Sequence, residues 1–153
     1  MADNQTIHQK VTIQASSTKV FQALTEPNIL EDWFPSQVKA EVRQGGSYQY
    51  VFKFKDPQQG GTQEGQFLEL RPGEKISYTW EAGGEQTQVD FTLTKQGEKT
   101  EVELKHSGFG SGTEADQVRG MHAAVWGGYL NNLKSYLEEG KDERTATMGQ
   151  ITK

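Results

Sequence analysis

Residues 113–139 read TEADQVRGMHAAVWGGYLNNLKSYLEE, and this stretch decides the fold. At about 100° per residue, Val118, Met121, His122, Val125, Trp126, Tyr129, Leu133, Tyr136 and Leu137 gather on one broad arc. Gly120, Asn131, Lys134 and Glu138 fall on the far side. The arc is wider than a coiled-coil seam requires. So broad an apolar face calls for a concave partner, and the sequence before it supplies one.

Upstream of the helix, nearly everything alternates as strands do. Ile7, Gln9, Val11 and Ile13 share one face of a first strand, opposite His8, Lys10 and Thr12. Ser16 or Ser17 can cap a short helix carrying Val20, Phe21 and Leu24. A second short helix starts at Pro27 and docks through Leu30, Trp33 and Phe34. Six more strands follow. Val38, Ala40 and Val42 mark one, and Gly45-Gly46 turns it into Tyr48, Tyr50, Phe52 and Phe54. The break 56–61 (DPQQGG) leads into a strand from Thr62 to Arg71. Ile76, Tyr78 and Trp80 alternate next, then Val89, Phe91 and Leu93, then Val102, Leu104 and His106. The expected fold is α+β: a curved antiparallel sheet of about seven strands gripping the C-terminal helix, with two short helices after strand one. Residues 1–139 are expected to form one domain. KDERTATMGQITK, 141–153, has no periodicity and is expected to be a flexible tail from residue 140 onwards.

The totals narrow the function classes. A net charge of −5 argues against a nucleic-acid face. With 0 cysteines there are no disulfides and no thiolate chemistry, which suits a reducing cytoplasm. MADNQTIHQK lacks the apolar run of a signal peptide, and no stretch reads as a membrane span. Aromatics are 10% of a chain that is only 33% hydrophobic, so apolar volume is concentrated in large rings.

Several separated pieces resemble the START-like superfamily, also called SRPBCC or helix-grip. Within it the chain is similar to the activator of heat-shock-protein-90 ATPase homologue-like group. The matching residues are Val20-Phe21 through Leu24-Thr25, Trp33, Gly45-Gly46, Gly65 with Phe67-Leu68-Glu69 and Pro72, and Tyr78-Thr79-Trp80. Thr100 to Leu104, His106 to Phe109, and Trp126 followed by Leu130, Leu133 and Leu137 complete the set. The resemblance spans roughly residues 7–139 and implies a hydrophobic cavity between sheet and helix. Members range from lipid carriers to cyclases and chaperone regulators. One departure is Gly127-Gly128, expected to loosen the helix because each glycine costs about 1 kcal/mol relative to alanine.

No phosphate-cradling loop, HExxH metal spacing or nucleophile elbow occurs, so no catalytic residue, metal or cofactor is assigned. Gly108 to Gly112 is glycine-rich but lacks a following lysine, and reads as a strand-to-helix connection. His106 and His122 both point inward by periodicity. They are either neutral core histidines with protein partners, or polar handles for a ligand, or acid–base groups. Tyr48, Tyr50, Phe52, Phe54, Tyr78, Trp80 and Phe91 form an aromatic lining that either fills the interior or walls a cavity. These rings other than Phe54, with Trp33, His106, Met121, His122, Val125, Trp126 and Tyr129, make up the candidate ligand-binding set. The expected partner is a small apolar or aromatic ligand bound by a monomer. A cyclase- or hydrolase-like enzyme and a chaperone-interaction module remain the other readings.

Overall fold

The computed structural model describes residues 6–152. Residues 1–5, part of the stretch read for a leader, and Lys153 lie outside the described residues. The sheet has seven strands in the order β1-β7-β6-β5-β4-β3-β2. They are β1 Ile7–Ile13, β2 Gln37–Ala40, β3 Ser47–Phe52, β4 Gly61–Arg71, β5 Lys75–Ala82, β6 Glu85–Gln96 and β7 Lys99–Ser107. All neighbours are antiparallel: β2 through β7 pair in sequence order, and β1 pairs with β7 at the opposite edge from β2. Two short helices, α1 Ser17–Thr25 and α2 Pro27–Trp33, fill the long crossover from β1 to β2, and α3 runs from Thr113 to Glu139.

The local chemistry of the short helices follows the sequence. Ser16 caps α1 by accepting a hydrogen bond from the Lys19 amide at 3.2 Å. Pro27 occupies the first turn of α2, where no amide hydrogen is needed. Alternation holds along the inner face: Tyr48, Tyr50, Ile76, Tyr78, Trp80, Val89, Phe91, Val102, Leu104 and His106 are all buried. Gly65 is required by close packing, since a Cβ there would lie 2.7 Å from both the Thr79 carbonyl oxygen and the Tyr48 ring. A register shift between Phe67 and Glu69 bends β4 and explains its weak alternation. Glu69 faces outward beside Arg71 and Lys75, and Glu64 is exposed.

Two expectations need correction. The first concerns the segment after Gly140, expected to be a flexible tail. Instead, Arg144–Met148 forms a fourth helix, α4, and both Arg144 and Gln150 are buried. Polar contacts hold it, which hydrophobic periodicity cannot reveal. The Arg144 guanidinium donates to the carbonyls of Glu31, Phe34 and Pro35 at 2.8–3.2 Å, where α2 ends. A cation at a helix C-terminus also meets the negative end of its dipole. Asp142 accepts from the same guanidinium at 2.7 and 2.9 Å, and this bonding holds its carboxyl below the usual range despite the opposing effect of burial. The backbone joins in: the Ile151 amide donates to the Lys53 carbonyl at 2.7 Å, and Lys55 to Gly149 at 2.9 Å. The chain end thus straps α2, α3 and the end of β3 together.

The second correction concerns Gly127-Gly128. Helix α3 runs through them without interruption. A Cβ on Gly128 would come within 2.8 Å of the Met148 methyl, so this glycine makes room for the strap. Gly127 faces Gln9 at ordinary contact distance.

Candidate functional site

The inner face of the sheet is covered unequally. Over its β3–β4–β5 region, Phe34 at the end of α2 packs on Tyr50, with Trp33 stacked behind it. Phe34 meets Tyr50 edge-on with ring centres 5.7 Å apart. Tyr48 and Tyr50 are 4.3 Å apart, and Tyr78 packs edge-on against both. This end is solid. Trp33, Tyr48, Tyr50, Tyr78 and Phe91, all candidates for a ligand wall, belong to the packed core and are not among the residues that line the groove at the other end. Trp33 is fixed there by its indole N–H, which donates to the Ala23 carbonyl at 2.7 Å. The Tyr50 hydroxyl is buried without a hydrogen-bond partner among the described residues, and burial pushes its ionisation well up.

At the other end a groove of about 270 Å³ opens between α3 and the β3–β4 connection. Phe34, Phe52, Trp80, Trp126 and Tyr129 form its floor, with His122 beside them. Met121 and Val125 stand on the helix rim, and Phe54 with residues 59–63 on the other. Met121 and Val125 were expected inside, on the apolar arc. They are 68% and 52% exposed, because this half of α3 bridges the groove while the later half packs on α2. The rings of the floor hold one another: Trp80 lies 5.6 Å from Trp126, and Phe34 meets Tyr129 edge-on at 4.8 Å.

Strand register builds the polar layer behind this floor. Trp80 pairs with Thr87, and Val89 with His106, so Thr87 and His106 are diagonal neighbours. The Trp126 indole N–H donates to His106 Nδ1 at 3.0 Å. That leaves the His106 proton on Nε2, which donates to Thr87 Oγ1 at 2.7 Å. Thr87 in turn donates to the Trp80 carbonyl at 2.8 Å. Burial, helped by the nearby His122, lowers the His106 pKa from 6.5 to about 3. His122 is held in the same manner: its Nδ1–H donates to the Val118 carbonyl at 2.9 Å, and Nε2 accepts from the Trp80 indole at 3.2 Å. The two imidazoles meet edge-on, 5.6 Å apart. Only His122 reaches the groove.

The strap lies behind the groove and fixes two residues of its floor. The Tyr129 hydroxyl donates to Gln150 Oε1 at 2.6 Å, and Gln150 Nε2 donates to the Phe34 carbonyl at 2.8 Å. Phe34, Phe54, the 59–63 rim and Gln150 were absent from the candidate set. Phe34 had a signal, its helical spacing from Leu30. Gln150 had none, being a polar residue in an unpatterned stretch. Among the described residues no group of three or more His, Cys, Asp or Glu is placed to hold a metal. No helix there is long and apolar enough to cross a membrane.

Residues 14–138 match the family model described as activator of Hsp90 ATPase homolog 1-like protein. The chain belongs to this family. No curated protein sequence matches it. Among solved structures, this chain is similar to DynU16, from the dynemicin biosynthetic locus, with TM-score 0.75 and 24% identity. That match covers 90% of this chain and 48% of DynU16, so the chain spans about half of that protein's length. The Aha1 dimer from Colwellia psychrerythraea gives TM-score 0.73 at 24% identity, over 89% of this chain and 98% of the other. CalU16 from Micromonospora echinospora gives 0.70 at 22%, over 88% and 77%. Likeness at these identities shows the helix-grip fold, in agreement with the sequence pattern.

Proposed function

We propose that this protein binds a small apolar, aromatic-compatible ligand in the groove between α3 and the β3–β4 edge. The observation that carries this is the groove's floor. Phe34, Phe52, Trp80, Trp126 and Tyr129 line an opening of about 270 Å³ with Met121 and Val125 exposed at its rim, whereas Tyr48, Tyr50, Tyr78 and Phe91 line none of it. Exposed apolar surface inside a concavity is favourable to cover, at about 25 cal/mol per Å². The family match is consistent with this reading, as is the fold shared with DynU16, a protein of the dynemicin biosynthetic locus.

Enzymatic turnover fits the site less well. His122 is the one imidazole at the groove, and both of its nitrogens are engaged by protein groups. A general base needs a free nitrogen within reach of the substrate proton. A chaperone partner rests on the family name alone. The zero-cysteine composition favours a cytoplasmic setting for the binding role.

Titration with Nile red, a neutral apolar dye, tests the reading. Saturable one-to-one binding that quenches tryptophan emission is expected. Native mass spectrometry of freshly purified protein should also carry a co-purifying small molecule. Absence of dye binding together with a clean apo mass would overturn the proposal.

A further inference from the structure

Taking the groove as the binding site, we infer that its ligand is uncharged and carries its hydrogen-bonding atoms along the one edge that faces Gln59 and Thr62. The polar side chains of the groove floor already have protein partners. The floor contains the indoles of Trp80 and Trp126, the His122 ring and the Tyr129 hydroxyl. Each is already bonded to the protein: to His122, to His106, to Val118 and Trp80, and to Gln150. Gln63, on the rim, is spent as well, since its amide donates to the Glu81 carbonyl and accepts from the Glu81 amide N–H.

A ligand polar group placed on the floor would therefore lose water and find no free donor there, only the remaining lone pair of the Tyr129 hydroxyl. Such a loss is costly for a neutral group and larger for an ion. No Asp, Glu, Lys or Arg lines the groove, so a charged ligand would find no counter-charge there. The free polar side chains are those of Gln59 and Thr62, both exposed at the mouth. Gln59 offers a donor and an acceptor, and Thr62 a hydroxyl. Their backbone is held in place: the Gln59 amide donates to the Asp56 carbonyl at 3.0 Å. Gly60 presses so closely on β3 that a Cβ would lie 2.6 Å from the Phe52 carbonyl oxygen. The mouth thus presents a fixed neutral polar edge above an aromatic floor.

Four bicyclic probes test this at pH 7.5 by tryptophan quenching: naphthalene, naphthalene-2-carboxamide, 2-naphthoate and 2-naphthylmethylammonium. Naphthalene and the carboxamide should bind, and the carboxamide should exceed each ion by about tenfold or more. The double variant Gln59→Ala, Thr62→Val changes exposed side chains only. It should weaken the carboxamide by about tenfold and leave naphthalene within about twofold. Either ion binding as tightly as the carboxamide would overturn the inference. So would equal weakening of carboxamide and naphthalene by the double variant. Failure of all four probes would overturn the groove reading itself, a result readily told apart from loss of selectivity alone.

Discussion

The two ends of the interior are made of the same strands and similar residues, yet one is solid and the other open. Tyr50 and Phe52 are two positions apart on β3, as Tyr78 and Trp80 are on β5. Tyr50 packs against Phe34 at the end of α2 and Tyr78 against Tyr48, Tyr50 and Phe91, and both are sealed. Phe52 and Trp80 lie where α3 bridges the sheet, and they face the groove. What separates them is the covering element, not the strand pattern. The position of α2 depends in turn on the strap, which ties its last carbonyls to Arg144 and Gln150.

Removing the strap's anchor should blur the comparison most. Arg144→Ala would leave the α2 carbonyls and Asp142 without their cation. A loss of about 3 kcal/mol in urea unfolding is expected. A loss below about 1 kcal/mol would show that the strap follows the fold instead of fixing α2. Gly65→Ala attacks the solid end, because its Cβ would meet the Thr79 carbonyl and the Tyr48 ring. It should cost about 2 kcal/mol, with dye binding at the groove retained. An equal effect on dye affinity and stability would erase the distinction between the ends.

Acid should act through the layer behind the groove floor. The His106 pKa falls to about 3 in the folded chain, against an ordinary 6.5. The unfolded chain therefore takes up a proton between these values that the folded chain refuses. The stability contribution is complete above pH 6.5 and is lost as pH falls towards 3, at about 1.4 kcal/mol per pH unit near pH 5. His106→Gln should flatten this part of the stability profile. A wild-type profile that is flat between pH 7 and 5 would contradict the burial of a neutral imidazole. The smallest effect is expected at Tyr50, whose hydroxyl has no partner among the described residues. Tyr50→Phe should raise stability by about 1 kcal/mol. A loss would reveal a bond that holds the solid end together.

The strands, their inward faces, the two short helices and the gripping helix were legible because burial repeats along them with period 2 or 3.6. His106 was placed correctly on its inward face for the same reason. Met121 and Val125 were misjudged because a helical arc records which residues are apolar, not how much of the arc meets a partner. The strap was invisible because it is held by Arg144, Asp142 and Gln150 through backbone carbonyls, which leave no periodic trace. The split of the aromatic residues into core and groove was also hidden, since it depends on where α2 and α3 lie over the sheet.

The most direct test of the open groove is to plug its mouth without touching its floor. Val125 is 52% exposed on the rim, so Val125→Arg should fold with an unchanged urea midpoint. Leu68, 44% exposed and away from the groove, serves as the control for an added arginine. Nile red affinity should drop at least about tenfold in Val125→Arg and stay at the wild-type value in Leu68→Arg. Undiminished binding to Val125→Arg would contradict the account, because the dye would then be binding somewhere other than this groove.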